Sequence, residues 1–564
     1  MAQSFEELSQ ERKELQAKGW LPDWYTTQAW QMFKAKYAVA GEQAVYGRHK
    51  TIAKTLAKHM IGNELYWEEK FFNLMWKGWL SPATPVLSNC GTDRGLTVSC
   101  SGQYVGDSVD SFYKARHEWA MLSKYGFGCS ADFSGIRPRG AVISKGGTAE
   151  GPVPWMIAAA DDTNLISQGG NRRGSIGKYL NIEHANFDEM NERLLAKPDG
   201  LNIGWTVTDG FVAKLKSGDE EAERRFTTSL YTKLVVGKGY YFFIDKANRH
   251  RPTVYKDLGL DIKASNLCTE IMLHSSESLT FSCVLSSMNA YKYDEWKDTS
   301  AVFDATVFLD CVVSDFLEKS AGIPGLEKVR KFTEKGRAVG LGILGWGTYL
   351  QANRIPYESL EAHFLNIEIF KKLHDDSLEA SKWLAVELGE PEWLKGRGER
   401  MTHRTAQAPT KSTSGLMGNL SEAYFPEPGM VYEQGSAAGG MHKIIPEIYK
   451  IMVERGVYSK ETCDDIVNHV GSVQHVDWLD DHEKEVFKTA FEIDQRVILR
   501  HASARQRWLC QGQSINFFVS EDGDEDRIAE LHTEAFLDEN ILSLYYIYSR
   551  SGVVVNSVCS SCEA

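Results

Sequence analysis

The sequence has no long apolar segment, no excess of basic residues and few cysteines. Its longest apolar stretch, Val302–Leu317, contains Asp304, Asp310 and Asp315 and is too short to span a membrane. Its 63 Lys and Arg side chains are outnumbered by 76 Asp and Glu side chains, and the net charge is −13. This balance argues against a dedicated nucleic-acid-binding protein, because such proteins neutralise phosphates with basic groups. The N-terminus lacks the apolar core of a signal peptide. We therefore expect a cytoplasmic protein with neither a membrane segment nor a nucleic-acid partner.

Ten cysteines among 564 residues are too few for a disulfide scaffold. In a reducing compartment such cysteines are catalytic, redox-active or packed thiols. Cys559 and Cys562 form a close pair near the C-terminus, but a closed zinc site needs a second pair of ligands that the sequence lacks. Vicinal thiols on a tail are better suited to thiol–disulfide exchange. We interpret five other cysteines as packed thiols: Cys90, Cys129, Cys311, Cys463 and Cys510.

The pattern of apolar residues divides the chain into a helical beginning and a longer α/β body. Apolar residues at three- and four-residue spacing predict helices over residues 4–18, 27–37, 42–59 and 64–75. Beyond Gly78, further helices are predicted at about 444–454, 482–508 and 524–549. They alternate with β-prone runs at 240–244, 279–285 and 513–519. Such alternation is typical of an α/β domain.

An amide, a thiol and a carboxylate occupy every second position of the segment Ser265–Ile271. If this segment is extended, Asn266, Cys268 and Glu270 project to the same side. They would then face one bound molecule. The more common alternative for such a pattern is a small buried thiol in a strand with polar neighbours.

Three further features suit redox or anion chemistry. Cys100 lies in a loop-rich stretch and Cys283 in a β-prone run. The hydroxyl-rich run Ala408–Gly415 offers an anion cradle without the Walker A order, and a capped loop is the alternative. Tyr545 and Tyr546 lie side by side near the end of the predicted last helix. Such a doublet packs in a core or passes a proton-coupled electron between redox partners.

Together, these segments resemble the large catalytic subunit of ribonucleotide reductase, in a class I-like, compact form without an ATP-cone. The similar segments are PATPVLSNCGT, SCSGQYVGDSVDS, QGGNRRG, SNLCTEI, FSCVLSSMN, APTKSTSG, LYYIYSR and the terminal CxxC. The resemblance implies an α/β fold, a ten-stranded α/β barrel with a finger loop carrying the catalytic cysteine. It implies a helical N-terminal region over 1–77, the barrel over 78–550 and a flexible redox-active tail over 551–564.

The resemblance also implies a role for each candidate residue of the barrel. As a thiyl radical, Cys268 would take the 3′ hydrogen of a ribonucleotide. Glu270 would be the general base on the 3′-hydroxyl, and Asn266 would hydrogen-bond the sugar. Cys100 and Cys283 would supply the electrons that replace the 2′-hydroxyl and would end as a disulfide.

The electron path beyond the barrel is implied in the same way. Tyr545 and Tyr546 match the doublet that relays a radical from a separate, metal-containing small (beta) subunit. Cys559 and Cys562 would re-reduce the buried disulfide and pass the oxidation to thioredoxin or glutaredoxin.

Nucleotide contacts follow from the resemblance as well. The implied substrate-binding residues are Thr84, Ser99, Asn266, Glu270, Pro409, Thr410, Lys411, Ser412, Thr413 and Ser414. Lys411 departs from the acidic or neutral residue expected there. The implied effector-binding residues are Asp107, Arg137 and Arg172, the last in the loop Gly169–Gly174. They imply control of substrate specificity by dNTP or ATP, with Mg²⁺ accompanying the nucleotide, and an effector-promoted homodimer.

If the chain is a class I enzyme, it holds no metal itself, because the small subunit carries the metal. The alternative within the family is an adenosylcobalamin-dependent (class II) enzyme, which the missing ATP-cone would also suit. Outside it, the alternatives are a catalytically idle nucleotide-binding regulator and a plain disulfide oxidoreductase that uses the terminal CxxC. A compact phage-encoded enzyme is one context for this sequence, and its location would then be the host cytoplasm.

Overall fold

The computed structural model describes residues 3–168, 172–434, 441–520 and 525–549. Four helices form its N-terminal part, and each agrees with a predicted one: α1 Phe5–Ala17, α2 Thr27–Lys36, α3 Ala44–Ala57 and α4 Glu64–Trp76. Their apolar faces bury Trp30, Ile52 and Phe71 in the largest core cluster of the protein. This shared core joins the helical region to the α/β body.

The α/β body contains the strands β1 Leu80–Pro82, β2 Cys100–Tyr104, β3 Cys129–Asp132, β4 Ser167–Gln168, β5 Arg172–Arg173, β6 Ile176–Asn181, β7 Asn202–Val207, β8 Tyr240–Phe243, β9 Phe281–Asn289, β10 Val339–Leu344, β11 Val431–Gln434, β12 Met441–Ile444, β13 Phe517–Val519, β14 Ser543–Leu544 and β15 Ile547–Ser549. Its α-helices are α5 Thr84–Asn89, α6 Val109–Lys124, α7 Val153–Asn164, α8 Phe187–Ala196, α9 Asp209–Lys216, α10 Glu220–Val236, α11 Ile244–His250, α12 Thr253–Leu258, α13 Tyr293–Trp296, α14 Ala301–Lys319, α15 Glu327–Gly336, α16 Trp346–Ala352, α17 Leu360–Leu388, α18 Lys411–Leu416, α19 Pro446–Glu454, α20 Lys460–Asn468, α21 Asp481–Val486, α22 Gln495–Gln506 and α23 Glu525–Leu537. Short 3₁₀ helices lie at Ala290–Lys292 and Glu392–Leu394.

The main sheet curls back towards its own edge. Strands β2, β3, β6, β7 and β8 are parallel neighbours, and β9 pairs with β2 in the antiparallel sense and with β10 in the parallel sense. Single parallel bridges continue from Leu341 to Thr405 and from Gln407 to Gln513. Tyr545, which follows β14 on the far side of β8, donates its N–H to Ile515 O. Hydrogen bonds thus run from one edge of the sheet round to the other, and the predicted α/β barrel fold is confirmed. The strand number of ten stays a prediction.

The last predicted helix is wrong beyond its first half. Helix α23 ends at Leu537, and the chain then forms β14 and β15. The run Leu544–Ser549 contains three Tyr and one Ile, residues that favour strands, and pairing with β8 and β13 decides its conformation. The predicted helix over 482–508 is likewise interrupted between α21 and α22, where Asp494 caps α22.

A buried ion triad fastens α14 to the loop that follows α17. The carboxylate of Asp310, which is fully buried, accepts hydrogen bonds from Arg337 at 2.8 Å and from Arg400 at 2.9 Å. Burial disfavours its ionisation, but the two guanidinium groups outweigh burial and hold the pKa of Asp310 below its ordinary value. The triad is therefore charged at neutral pH.

We expect Asp310→Asn to lower the free energy of unfolding by about 3 kcal/mol, because it leaves two buried cations without a counter-charge. Urea denaturation at pH 7 measures the effect. The matched control is Asp375→Asn, whose partner Lys371 is exposed, so its loss should cost less than about 1 kcal/mol. Equal losses in the two variants would contradict the expectation.

None of the helices in the described part of the chain is both long enough and apolar enough to cross a membrane.

Candidate active site

The segment that carries Asn266, Cys268 and Glu270 is a turn rather than the extended strand predicted from its spacing. Thr269 has a φ of +69°, and its N–H points back to Asn266 O at 3.3 Å. The side-chain Oδ1 of Asn266 accepts a hydrogen bond from Ile271 N at 3.1 Å, which closes the turn. The turn forms because Asn266 bonds the local backbone in place of a neighbouring strand. It nevertheless brings the thiol and the carboxylate to one cavity.

Glu270 is almost completely buried. Its side chain is buried and accepts a hydrogen bond from Ser514 Oγ at 3.2 Å, while the same hydroxyl contacts Cys268 O at 2.6 Å. Burial raises the pKa of Glu270 to about 7, although hydrogen bonds from its surroundings partly oppose the shift. A carboxylate with a pKa near neutrality is suited to general base catalysis. Ser514 was not predicted, since nothing in its local sequence points to Glu270.

Asn266 connects the turn to the facing strand. Its Nδ2 lies 3.4 Å from Cys100 Sγ, and its backbone carbonyl accepts a hydrogen bond from the Tyr179 hydroxyl at 2.6 Å. Tyr179 is fully buried in β6, so it fixes the turn from inside the sheet. The structure therefore brings the predicted Asn266 to the predicted Cys100.

Cys100 and Cys283 face each other across β2 and β9. They are direct partners in the antiparallel register, which brings opposed side chains within about 5 Å at their Cβ atoms. Burial raises the pKa of Cys283 to about 12, and Gln511 Nε2 lies 3.4 Å from its Sγ. The two thiols are thus placed for disulfide formation, and the Cys283 thiol is protonated at neutral pH.

One cavity of about 120 Å³ collects most of the predicted substrate residues. The predicted substrate residues on its wall are Thr84, Ser99, Glu270, Pro409, Thr410, Lys411, Ser412 and Thr413, and Cys100 and Cys268 line it with them. Asn266 is not among its lining residues. Ser414 does not line it, because its hydroxyl is buried against Thr410. Ser286 and Ser287 of β9 add hydroxyl groups that the sequence analysis did not single out.

The predicted tyrosine doublet adjoins the turn that carries Cys268. The Tyr545 hydroxyl lies 3.6 Å from Cys268 Sγ, and the ring centroids of Tyr545 and Tyr546 are 4.0 Å apart. The Tyr240 hydroxyl donates to the Tyr546 hydroxyl at 3.0 Å. Tyr240, at the start of β8, was missed because it joins the doublet only through sheet pairing. The structure thus forms a continuous path of phenol groups that ends at the thiol.

A buried lysine holds this path in place. Lys233 on α10 donates to Gly239 O at 3.2 Å and also to Tyr545 O, and its Nζ lies 5.7 Å from the centroid of the Tyr240 ring. Burial lowers the pKa of Lys233 to about 7. No sequence signal distinguished this lysine from others on amphipathic helices.

Two of the three predicted effector residues meet on the surface. Arg137 Nε donates to Asp107 Oδ2 at 2.6 Å, and both side chains are partly exposed. Arg172 begins β5, which pairs with β4, but its side chain and residues 169–171 lie outside the described residues.

The terminal pair Cys559 and Cys562 also lies outside the described residues. Of the remaining cysteines, Cys90, Cys129, Cys311 and Cys463 are buried and Cys510 is half-buried.

Comparison with known proteins identifies the family of this chain. The family model "Ribonucleotide reductase, barrel domain" matches residues 98–223, 220–396 and 391–547, and "Ribonucleotide reductase, all-alpha domain" matches residues 23–95. A putative ribonucleoside-diphosphate reductase large subunit from Frog virus 3 (isolate Goorha) is 33% identical over 524 residues, covering 88% of this chain and 90% of the relative. A vitamin B12-dependent ribonucleoside-diphosphate reductase from Thermoplasma acidophilum is 28% identical over 493 residues, covering 80% of this chain and 62% of the relative.

A solved structure is similar along nearly the whole chain. It is the Actinobacillus ureae class Id ribonucleotide reductase alpha subunit, with 37% identity, a TM-score of 0.86 and coverage of 95% of this chain and 99% of that one. The barrel, the helical region and these matches define an oxidoreductase that reduces ribonucleotides. The chain belongs to the ribonucleotide reductase family, in which it is similar to the large subunits. The predicted domain boundary at residue 77 stays a prediction.

Proposed function

We propose that this chain is the catalytic subunit of a class I ribonucleoside-diphosphate reductase, which makes 2′-deoxyribonucleotides as DNA precursors by a thiyl-radical mechanism. The observation that carries the proposal is the single cavity lined by Cys268, Glu270 and Cys100. It offers a hydrogen-abstracting thiol, a base and a reducing thiol to one substrate. A catalytically idle regulator would have no need of all three.

Reduction begins and ends at Cys268. Its thiyl radical takes the 3′ hydrogen atom of the ribose and becomes a thiol, while Glu270 accepts the proton of the 3′-hydroxyl. The buried surroundings of Glu270 suit this step, because its carboxylate gains a proton easily. After the 2′ position is reduced, Glu270 returns its proton to the 3′ oxygen, and Cys268 returns a hydrogen atom to C3′, so that the thiyl radical forms again. A closed barrel protects this radical from water.

Cys100 and Cys283 supply the two electrons of the reaction. One thiol gives its proton to the 2′-hydroxyl, which leaves as water, and the other gives its hydrogen to C2′. The two sulfur atoms then form a disulfide, which accounts for the two electrons. The net change is ribonucleotide plus dithiol to deoxyribonucleotide plus disulfide plus water. Their direct opposition in β2 and β9 supports this role. Cys559 and Cys562 would then reduce the disulfide by exchange and deliver the oxidation to thioredoxin or glutaredoxin.

Tyr545 and Tyr546 carry the radical to the cavity. A phenoxyl radical on Tyr545 takes the hydrogen atom of the Cys268 thiol, which leaves tyrosine and a thiyl radical. The 3.6 Å contact between their reacting atoms supports a direct transfer. The radical originates in a separate, metal-containing beta subunit, as the similarity to a class Id alpha subunit supports.

The hydroxyl-rich run around α18 binds the substrate phosphates. Thr410, Lys411, Ser412 and Thr413 line the same cavity as Cys268, so phosphate and ribose are bound within one site. The Lys411 ammonium adds a positive charge where the family pattern has an acidic or neutral residue.

Effector nucleotides with Mg²⁺ replace the Asp107–Arg137 ion pair by phosphate and ribose contacts and promote a homodimer.

Reductase assays distinguish the two ways of making the radical. Turnover of ribonucleoside diphosphates is measured once with the metal-loaded beta subunit and once with adenosylcobalamin alone. We expect turnover in the first assay and none in the second. Turnover with adenosylcobalamin alone would establish the class II alternative, for which the similarity to the Thermoplasma acidophilum protein is the supporting observation.

We expect kcat/KM to rise as pH increases through about 7, because Glu270 must lose its proton before it can act as the base. Glu270→Gln should lower kcat/KM about 10²- to 10⁴-fold and remove this rise. Rates between pH 5.5 and 8.5 measure both effects. The control is Glu118→Gln, a buried glutamate that pairs with Lys328 and lies outside the cavity. Loss of the pH dependence in the control would contradict the assignment to Glu270.

A further inference from the structure

One aspartate and two histidines form a cluster in the C-terminal part of the chain, and none of them lines the cavity that contains Cys268. Asp465 and His469 stand one turn apart at the end of α20, and His475 returns to them from the following loop. We call these three residues the Asp–His cluster. Each offers one donor atom, and the three donor atoms lie within 4.8 Å of one another. All three side chains are solvent-accessible.

A strained turn builds the cluster. Val470 has a φ of +57° and Gly471 a φ of +80°, and Gly471 N donates to Ile466 O at 2.8 Å. A β-branched residue in the left-handed region is unfavourable, so this conformation persists because its surroundings impose it. The turn reverses the chain and places the His475 ring on the His469 ring, with centroids 3.6 Å apart and planes 19° from parallel.

Hydrogen bonds join the three residues and determine which ring nitrogen of His469 carries the lone pair. His475 Nε2 lies 2.7 Å from Asp465 Oδ2, and His469 Nδ1 lies 2.9 Å from the backbone carbonyl of Asp465. A carbonyl only accepts, so Nδ1 of a neutral His469 carries the hydrogen and Nε2 carries the lone pair. Metal-binding histidines characteristically donate their second ring N–H to such a carbonyl.

We propose that the Asp–His cluster binds one Zn²⁺ ion through two imidazoles and one carboxylate. This donor set matches zinc in type, and water would complete a four-coordinate shell. Ligand atoms around tetrahedral zinc are about 3.3 Å apart, so the donors need to approach by up to about 1.5 Å. Rotations of exposed side chains can supply that movement. The site adds a metal to a chain in which the sequence predicts none, and it does not depend on the proposed reductase mechanism.

The ion would fasten the end of α20 to the loop that follows it. This loop supplies Val473 and Val476 to a separate core cluster, to which α20 contributes Cys463 and Ile466. Zinc would therefore close a cross-link at the surface of a small lobe whose interior is apolar. A ligand that binds the folded state alone stabilises it by mass action.

Zinc binding to the full-length, untagged, metal-stripped chain tests the proposal. His475→Asn and Asp465→Asn remove one ligand each at the surface, and His482→Asn is the matched control, since that histidine contacts Arg354 O instead. All variants keep every cysteine, so zinc bound by thiols contributes equally. We expect competition with a zinc-sensitive dye to reveal one site that either cluster variant weakens at least tenfold and the control does not.

Two spectroscopic and thermal measurements separate this site from thiol sites. Cobalt(II) bound to the wild type should give visible d–d bands. In His475→Asn part of these bands should be lost, while thiolate-to-metal charge-transfer absorption should be unchanged. Zinc should raise the melting temperature of the wild type and of His482→Asn more than that of His475→Asn. Equal zinc affinity and equal cobalt spectra in the wild type and both cluster variants would overturn the proposal. That outcome would leave a metal-free hydrogen-bonded cluster.

Discussion

Cys268→Ser is expected to abolish ribonucleotide reduction, with a loss of at least about 10⁴-fold, as for removal of an essential reacting group. The hydroxyl of serine lies where the thiol was, but its O–H bond is too strong for a tyrosyl radical to break. Tyr545 would therefore keep its radical, and no hydrogen would leave the substrate. Product formation with the beta subunit present and an excess of reductant measures the loss.

The control for this prediction is Cys463→Ser, which removes a thiol that packs in the separate core cluster near α20. It should keep most of the turnover. Substrate binding provides a second readout, because the introduced serine side chain occupies nearly the same volume as the thiol and Glu270, Lys411 and Thr410 still line the cavity. Unchanged nucleotide affinity with no turnover would assign Cys268 to chemistry. Measurable turnover in Cys268→Ser would contradict the thiyl mechanism.

Local patterns predicted the helical part of the fold well. The four N-terminal helices follow from apolar spacing alone, and the strands β8 and β9 follow from runs of β-branched and aromatic residues. The last helix was wrong because the spacing of Leu544–Ser549 was considered without its partners. Pairing with β8 and β13 is a long-range contact, and such contacts override local preference.

The candidate site depended on long-range contacts even more. Cys100 and Cys283 are far apart in sequence, and the residues alone did not indicate that they oppose each other in β2 and β9. The resemblance supplied that pair. Ser514 and Lys233 were missed entirely, because one reaches Glu270 and the other reaches Tyr545 only after the barrel has formed. The two-residue spacing of Cys268 and Glu270 predicted that both side chains face one bound molecule from an extended segment. They do line one cavity, but a turn rather than an extended segment brings them there.

The conformation of the tyrosine segment leads to the second large prediction. Tyr545 and Tyr546 lie between two strands, where Ile515 O, Asn516 Oδ1 and Phe517 N bond their backbone. Replacing a phenol with a phenyl ring leaves these bonds intact. Tyr545→Phe and Tyr546→Phe should therefore fold and bind nucleotides normally, yet each should lower turnover with the beta subunit at least about 10³-fold, because a phenyl ring cannot carry the hydrogen atom.

Tyr241→Phe is the matched control for both variants. Tyr241 neighbours Tyr240 in β8 and is fully buried, but its hydroxyl bonds Ser229 on the other side of the strand and not the doublet. Its loss removes a buried phenol without breaking the proposed path, so turnover should stay within about tenfold of the wild type. Electron paramagnetic resonance during turnover adds a direct readout: in Tyr545→Phe no radical should reach Cys268. Wild-type turnover in Tyr546→Phe would exclude the doublet as the relay. Turnover of the same variant with adenosylcobalamin alone would show that the radical is generated within the barrel.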